Sequence, residues 1–424
     1  MDTIFALSSG SPPAGIGVIR VSGPQAFVAC AAIAGDLPPA RTARLRALRH
    51  RDTLLDRALI LTFPGPATAT GEDLVELHCH GGRAVIAAVL TALRDQPGLR
   101  PAGAGEFTRR ALSNGRIDLA EATGLADLLS AETERQRVAA LAAAEGIVSQ
   151  RVRTWLDRLA MLAALTEAQL DFADEDDVGD DGAAMTMVIV GKAALAAELA
   201  SVLDAPPVER LRDGVHVVLA GPPNSGKSTL INLLSQRDVA IVSSIAGTTR
   251  DRIEATVIRD GLVYILTDTA GLTESSDPIE RIGVSRAEQS ITRADVVLWL
   301  GDDAPPRDDA LWVHARADVA GREALPTGRT LAVAQTDIDG IERLWLAIAD
   351  RAERLLPRGD ALTFRESERA ACRDARALLE VDEVEPLIVA EQLRLAAKAL
   401  GSILGIDATE AMLDTLFGRF CIGK

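Results

Sequence analysis

The run Gly221-Pro222-Pro223-Asn224-Ser225-Gly226-Lys227-Ser228 satisfies G-x-x-x-x-G-K-S. That spacing lets a ring of backbone N–H groups and a helix N-terminus converge on a polyphosphate. Before it, Val215–Ala220 is a short apolar, β-branched stretch that reads as a buried strand; after it, Ser228–Leu234 has helical character. Strand, glycine-rich loop and helix in that order predict a phosphate cradle and not a chance glycine-rich turn. In such a cradle Lys227 reaches the β- and γ-phosphates and Ser228 ligates Mg²⁺. The expected nucleotide contacts are Asn224, Ser225, Gly226, Lys227, Ser228 and Thr229. Further along, Ile265-Leu-Thr-Asp268-Thr269-Ala270-Gly271 puts Asp268 at the carboxyl end of a strand, where an acid supporting Mg²⁺ belongs. Thr269, Ala270 and Gly271 complete that contact set, with the glycine N–H facing the γ-phosphate.

Asp-Thr-Ala-Gly is typical of GTPases of the translation-factor class, in which Asn-Lys-x-Asp reads the base. Here Ala315-Arg316-Ala317-Asp318 holds that place. Asp318 keeps the carboxylate that accepts from the guanine N1 and N2 donors, so GTP is expected over ATP. The runs Val296–Leu300, Leu311–Val313 and Thr330–Ala334 read as further parallel strands of the same layer. Between the two phosphate motifs lies Ser243-Ser244-Ile245-Ala246-Gly247-Thr248-Thr249, a candidate switch segment whose Thr249 supplies a second Mg²⁺ ligand. The position that carries a water-orienting glutamine in small GTPases holds Leu272. A leucine cannot orient water, so hydrolysis needs other help. Asn224, with carbonyls of the segment containing Ser243, Ile245 and Thr248, is placed to hold K⁺ where an arginine finger would sit. Glu280 is the acid best placed to act on the attacking water, although spacing alone reads it as an ordinary exposed glutamate.

Three further stretches make the chain resemble the MnmE (TrmE) family of tRNA-modifying GTPases. One is the terminal Phe417-Gly-Arg-Phe420-Cys421-Ile-Gly-Lys424; another is Asp2-Thr-Ile4 with Gly15-Ile-Gly-Val-Ile-Arg20-Val-Ser-Gly23. The third set is Thr70–Leu77 with His80-Gly-Gly82, and Gly105–Arg109 with Asn114–Ala122. The resemblance spans residues 2 to 424. It implies an N-terminal α+β folate-binding domain like that of aminomethyltransferases, an all-α helical domain and an inserted P-loop GTPase α/β domain. It also implies a homodimer, a flavin-bearing MnmG-like partner, and tRNA whose wobble uridine is modified at C5. The carbon donor it implies is a 5-formyl- or 5,10-methylene-tetrahydrofolate, with Arg20, Glu76, Arg116 and Lys424 at the positions that contact it. A carboxylate such as Glu76 suits the pterin's donors and arginines suit a glutamyl tail. Arg116 stands where the family commonly has lysine.

The pass along the chain agrees with that organisation. We expect an N-terminal domain over 1–118, helical segments over 119–213 and 353–424, and the GTPase domain over 214–352. Domain insertion of this kind is tolerated where the insert's ends lie close together. The 424 residues carry a net charge of −16, awkward for an RNA enzyme, because phosphate contacts dominate nucleic-acid affinity. A partner supplying most of the tRNA surface resolves the conflict. Cys30, Cys79, Cys372 and Cys421 form neither a disulfide framework nor a zinc pattern. His78 and His80 share a strand face but lack a third ligand, and the acidic stretch 171–182 misses calcium-loop spacing. No uninterrupted apolar run approaches a membrane span, so a cytoplasmic protein without membrane attachment is expected. Two other functions stay open: a ribosome-assembly GTPase of the Era or Der kind, and a slow nucleotide-gated scaffold.

Overall fold

The structure, a computed structural model, describes residues 2–171, 181–235, 239–240, 254–269, 288–357, 363–418 and 420–423. The chain divides into two compact units. One comprises Met1–Leu129, Ala142–Asp157 and Ala397–Lys424, the other Ser130–Leu141 and Arg158–Ala396.

The first unit is built on a six-stranded sheet. Its strands are β1 (Thr3–Leu7), β2 (Ile16–Ser22), β3 (Arg44–His50), β4 (Thr53–Phe63), β5 (Leu74–His80) and β6 (Leu99–Pro101), in the order β3-β4-β5-β2-β1-β6. Side chains alternate across a strand, and β2 and β5 show the consequence. Ile19, Val21, Val75, Leu77 and Cys79 are buried in one core with Cys30 and Ile33 of the helix Ala26–Ala34 and with Ile86 and Val89 of the helix Arg83–Arg94. The residues between them, Arg20, Glu76 and His78, stay half-buried on the other face. At the β1 end that second face is covered by Phe107 of the helix Glu106–Ser113, packed with Ile4, Ala6 and Ala102.

The second unit carries a seven-stranded sheet made of β7 (Val215–Ala220), β8 (Val239–Ala240), β9 (Glu254–Arg259), β10 (Leu262–Asp268), β11 (Val296–Trp299), β12 (Leu311–Ala315) and β13 (Leu331–Val333). Its order is β13-β12-β11-β7-β10-β9-β8. β13, β12, β11, β7 and β10 are parallel, whereas β9 and β8 join antiparallel. Both faces of the parallel part are buried, which is why β7 and β10 read as nearly continuous apolar runs. One core joins Val217, Leu219, Leu266 and Leu298 to Leu230 and Ile231 of the helix Lys227–Ser235 and to Trp345 and Ile348 of the helix Ile338–Leu355. Adjacent strand order reverses beside β7, and ligands of such sheets bind at the carboxyl ends of the strands there.

Long helices complete this unit. By length and composition alone the stretch Ala183–Asp213 contains an apolar window long enough to cross a membrane, a test that a buried core helix also passes. Its Val188, Leu195 and Leu199 are fully buried, and its Lys192 donates to Gln392 Oε1 at 2.7 Å inside the helical packing.

Candidate functional site

The carboxyl end of β7 runs directly into the phosphate motif. Gly221 and Gly226 have φ of +148° and +99°, conformations that a side chain rarely adopts, and Asn224 sits left-handed at +61°. Lys227, only 4% exposed, donates from Nζ to the carbonyls of Gly221 at 3.0 Å and Pro222 at 2.9 Å. Burial pulls the Lys227 ammonium below its ordinary value, partly offset by the Asp268 charge. Ser228 Oγ donates to Asp268 Oδ2 at 2.6 Å, so the hydroxyl and carboxylate expected around Mg²⁺ are side by side. Such an all-oxygen pair next to a phosphate cradle fits a hard divalent cation. Thr269 is tied down by Oγ1 donating to the Leu219 carbonyl at 2.9 Å.

The loop expected to read the base meets the same cavity, which measures about 1040 Å³ and is lined by Asn224, Gly226, Lys227, Ser228, Thr229, Thr269 and Asp318 among others. Sequence reasoning put Asp318 in this role from the motif alone and missed Arg316, Ala334 and Gln335, which also line the cavity. Arg316 was visible only as a departure from the usual motif. Its Nη1 donates to the Asn224 carbonyl at 3.1 Å, and its stem passes over Gly226, where a methyl would meet Arg316 Cγ at 3.5 Å. Arg316 therefore ties the 315–318 loop to the phosphate loop. Ala334 and Gln335 follow β13, whose Val333 carbonyl accepts from Ala317 N–H at 3.1 Å. The remaining nucleotide and cation candidates, Ser243, Ser244, Ile245, Ala246, Gly247, Thr248, Thr249, Ala270, Gly271 and Glu280, lie outside the described residues, as does Lys424.

In the first unit, Arg20 and Glu76 are register partners on β2 and β5 and form an ion pair at 2.9 Å. Arg20 also stands 5.8 Å over the Phe107 ring, and His78 Nε2 lies 3.2 Å from the second Glu76 oxygen. Burial would raise the Glu76 carboxyl, but hydrogen bonds with Arg20 and His78 outweigh it and hold the group below its usual range. Arg116 is hydrogen-bonded elsewhere. Its Nε donates to the Thr68 carbonyl at 3.2 Å, Asn114 donates to the Thr70 carbonyl at 2.7 Å, and Ser22 next along β2 bonds to Thr70 and Glu72 at 2.7 Å each. The 68–72 loop thus links Arg116 to the strand that bears Arg20. His78 and His80 go to different acids, since His80 Nδ1 lies 2.7 Å from Asp56 Oδ1. The chain's end belongs to this unit: Ile422 pairs with Ala104, and Phe417 and Phe420 pack with Ala122, leaving Cys421 exposed.

A parallel sheet with a glycine-rich phosphate loop, a buried lysine and a facing carboxylate defines a P-loop nucleotide-binding protein. Known proteins narrow the class. A family model described as the GTP-binding protein TrmE N-terminus matches residues 3–116, and one for the MnmE helical domain matches residues 119–421. A tRNA modification GTPase MnmE of Rhizorhabdus wittichii is 53% identical over 432 aligned positions, covering 100% of this chain and 97% of that protein. Proteins of the same name from Erythrobacter litoralis and Zymomonas mobilis are 52% and 46% identical, each alignment covering both chains fully. The chain belongs to the MnmE family of tRNA modification GTPases.

Proposed function

We propose that this chain is a potassium-activated GTPase that, with a flavin-dependent partner, installs an aminomethyl-type group at C5 of the wobble uridine of certain tRNAs. The observation that carries the GTPase half is the single cavity shared by Lys227, Ser228, Thr269 and Asp318. Lys227 binds the β/γ-phosphates, the Ser228–Asp268 pair holds Mg²⁺, and Asp318 accepts from the guanine edge. Bound Mg²⁺ neutralises charge developing on the transferred phosphoryl group. Asn224 and the segment with Ser243, Ile245 and Thr248 hold K⁺; Ser244, Ala246, Gly247, Thr249, Ala270 and Gly271 close on the nucleotide, and Glu280 acts on the attacking water.

The one-carbon half rests on the open face of β2 and β5. There the Glu76 carboxylate offers acceptors to a pterin and Arg20 a cation to a polyglutamate-type tail; Arg116 and Lys424 are further cations for that tail. Tetrahydrofolate, when bound, supplies the carbon at the formyl or methylene oxidation level. The N-terminal segment 1–118 joins two copies, while 119–213 and 353–424 form a helical domain around the GTPase segment 214–352. The protein works in the cytoplasm. With a net charge of −16, most of the tRNA contact surface falls to the partner.

The test is multiple-turnover phosphate release. Turnover rises steeply when Na⁺ is exchanged for K⁺, because an arginine finger is worth about 10³-fold or more and the cation takes its place. Asn224→Lys abolishes that response while GTP still binds. Equal rates in the two salts refute potassium activation.

A further inference from the structure

Behind the base-reading loop, Asp302, His314, Arg322 and Arg329 form one network. Arg322 spreads over three acceptors: Nε donates to the Ala315 carbonyl at 3.2 Å, and Nη1 and Nη2 donate to Asp302 Oδ2 and Oδ1 at 3.1 and 3.0 Å. Arg329, its side chain 6% exposed, donates to the same Asp302 Oδ1 at 2.7 Å and to His314 Nδ1 at 2.8 Å. Its guanidinium carbon stands 5.4 Å over the Trp312 ring. Arginine only donates, so Nδ1 of His314 is the acceptor and the ring proton sits on Nε2. That nitrogen lies 2.8 Å from the Arg322 carbonyl and donates to it. Arg322 is therefore gripped at both ends, its carbonyl by buried His314 and its guanidinium by Asp302.

The loop in front needs such a grip. Ala315 offers no polar side chain, Arg316 sits left-handed at φ +61°, and Asp318 is exposed. A non-glycine residue in that region persists only where its surroundings over-determine it. We propose that Arg322 is a positioning residue for base recognition: locked by Asp302 and the His314–Arg329 pair, it fixes the Ala315 carbonyl and so the turn that aims Asp318 at guanine. Arg322 is not among the residues lining the nucleotide cavity, so its effect passes through the loop. The inference rests on Asp318 being the base-reading carboxylate.

Losing Arg322 should therefore cost base recognition far more than phosphate binding, since the phosphate loop hangs on β7 and the helix after it and meets the 315–318 loop only through the exposed Arg316–Asn224 bond. In calorimetric titrations of the full chain, Arg322→Ala weakens GTP about tenfold, the loss of one well-placed hydrogen bond. ATP binding, which does not use Asp318, changes by no more than about twofold. Arg322→Lys shifts the ratio in the same direction, because one ammonium cannot serve both Asp302 and the Ala315 carbonyl; this variant keeps the charge should the alanine fail to fold. A GTP-to-ATP affinity ratio unchanged in the folded variants, or equal losses for both nucleotides, overturns the proposal. Asp318→Asn in the same assay separates the two ideas by moving preference from GTP to xanthosine triphosphate. If that shift appears while the Arg322 variants keep the parent ratio, only the positioning role fails. If it does not appear, the base-reading role of Asp318 fails and the positioning role with it.

Discussion

Single residues in this protein act through the partners that hold them. Arg20 and Glu76 illustrate the point, since each is half-buried and each is the other's main satisfaction. The Glu76 carboxyl sits below its usual range because the bonds from Arg20 and His78 outweigh burial. A lowered folded value means the pair stabilises above the ordinary carboxylate pKa of about 4.3 and loses that contribution as pH falls through the lower folded value. Arg20→Ala should consequently cost about 1–3 kcal/mol at pH 7, where an ionised, half-buried Glu76 is left without its fork. The gap between variant and parent should narrow as the pH is taken down into the acid range, because both proteins then carry a protonated Glu76. Thermal unfolding at neutral and acid pH measures it, and a gap that does not change with pH would show that the pair contributes through packing alone.

At the scale of elements, backbone conformation decides which loops can present these side chains. Gly71, at φ +79°, lies in the loop that anchors Arg116, and a methyl there would stand 2.8 Å from Asn114 Cβ. Gly115, at φ +64°, has nothing within 4 Å. Gly115→Ala therefore meets only backbone strain, about 1–2 kcal/mol, whereas Gly71→Ala adds overpacking of about 1–3 kcal/mol. Denaturation midpoints should fall in that order, and equal losses would mean that the Asn114 contact yields freely. The same conformational logic separates what the sequence reveals from what it hides. β7, β10, β11, β12 and β13 are legible because strands buried on both faces must be apolar throughout. Helix Pro386–Leu404 is legible to the residue because proline opens it and a glycine, Gly405 at φ +82°, follows it. β3 is hidden, because its Arg44, Arg46 and Arg49 mask a strand at the sheet edge, where one side needs no apolar cover. β9 is legible only through its turn: Asp260-Gly261 between β9 and β10, with φ of +50° and +76°, closes such a hairpin. In the site, the motif spacing alone puts Asp318 on a loop that lines the cavity. Arg316 and Arg322 do not stand out in the same way, since each is bonded to a backbone carbonyl, that of Asn224 or Ala315, which no residue-type pattern records.

For the whole molecule, the two chemistries are assigned to different compact units, and the end of the chain belongs with only one. Ile422 pairs with Ala104, Phe417 lies against Gly105, and a side chain on Gly423, at φ +99°, would overlap the Leu7 carbonyl. All of these belong to the unit that holds Arg20, Glu76 and Arg116, whereas Lys227 and Asp318 belong to the other. Removing residues 421–424 should therefore abolish folate binding and tRNA modification and leave GTP affinity nearly unchanged. Gly423→Ala should weaken folate in the same direction without removing any side chain, because the strained turn that seats the tail on β1 cannot accept a methyl. Calorimetry with a stable formyl-tetrahydrofolate and with GTP, on the parent and both variants, reads the two sites separately. If the truncated chain binds folate as tightly as the parent, the terminal residues only pack the surface. If it loses GTP as well, the two sites are coupled energetically, and the separation by unit does not extend to function.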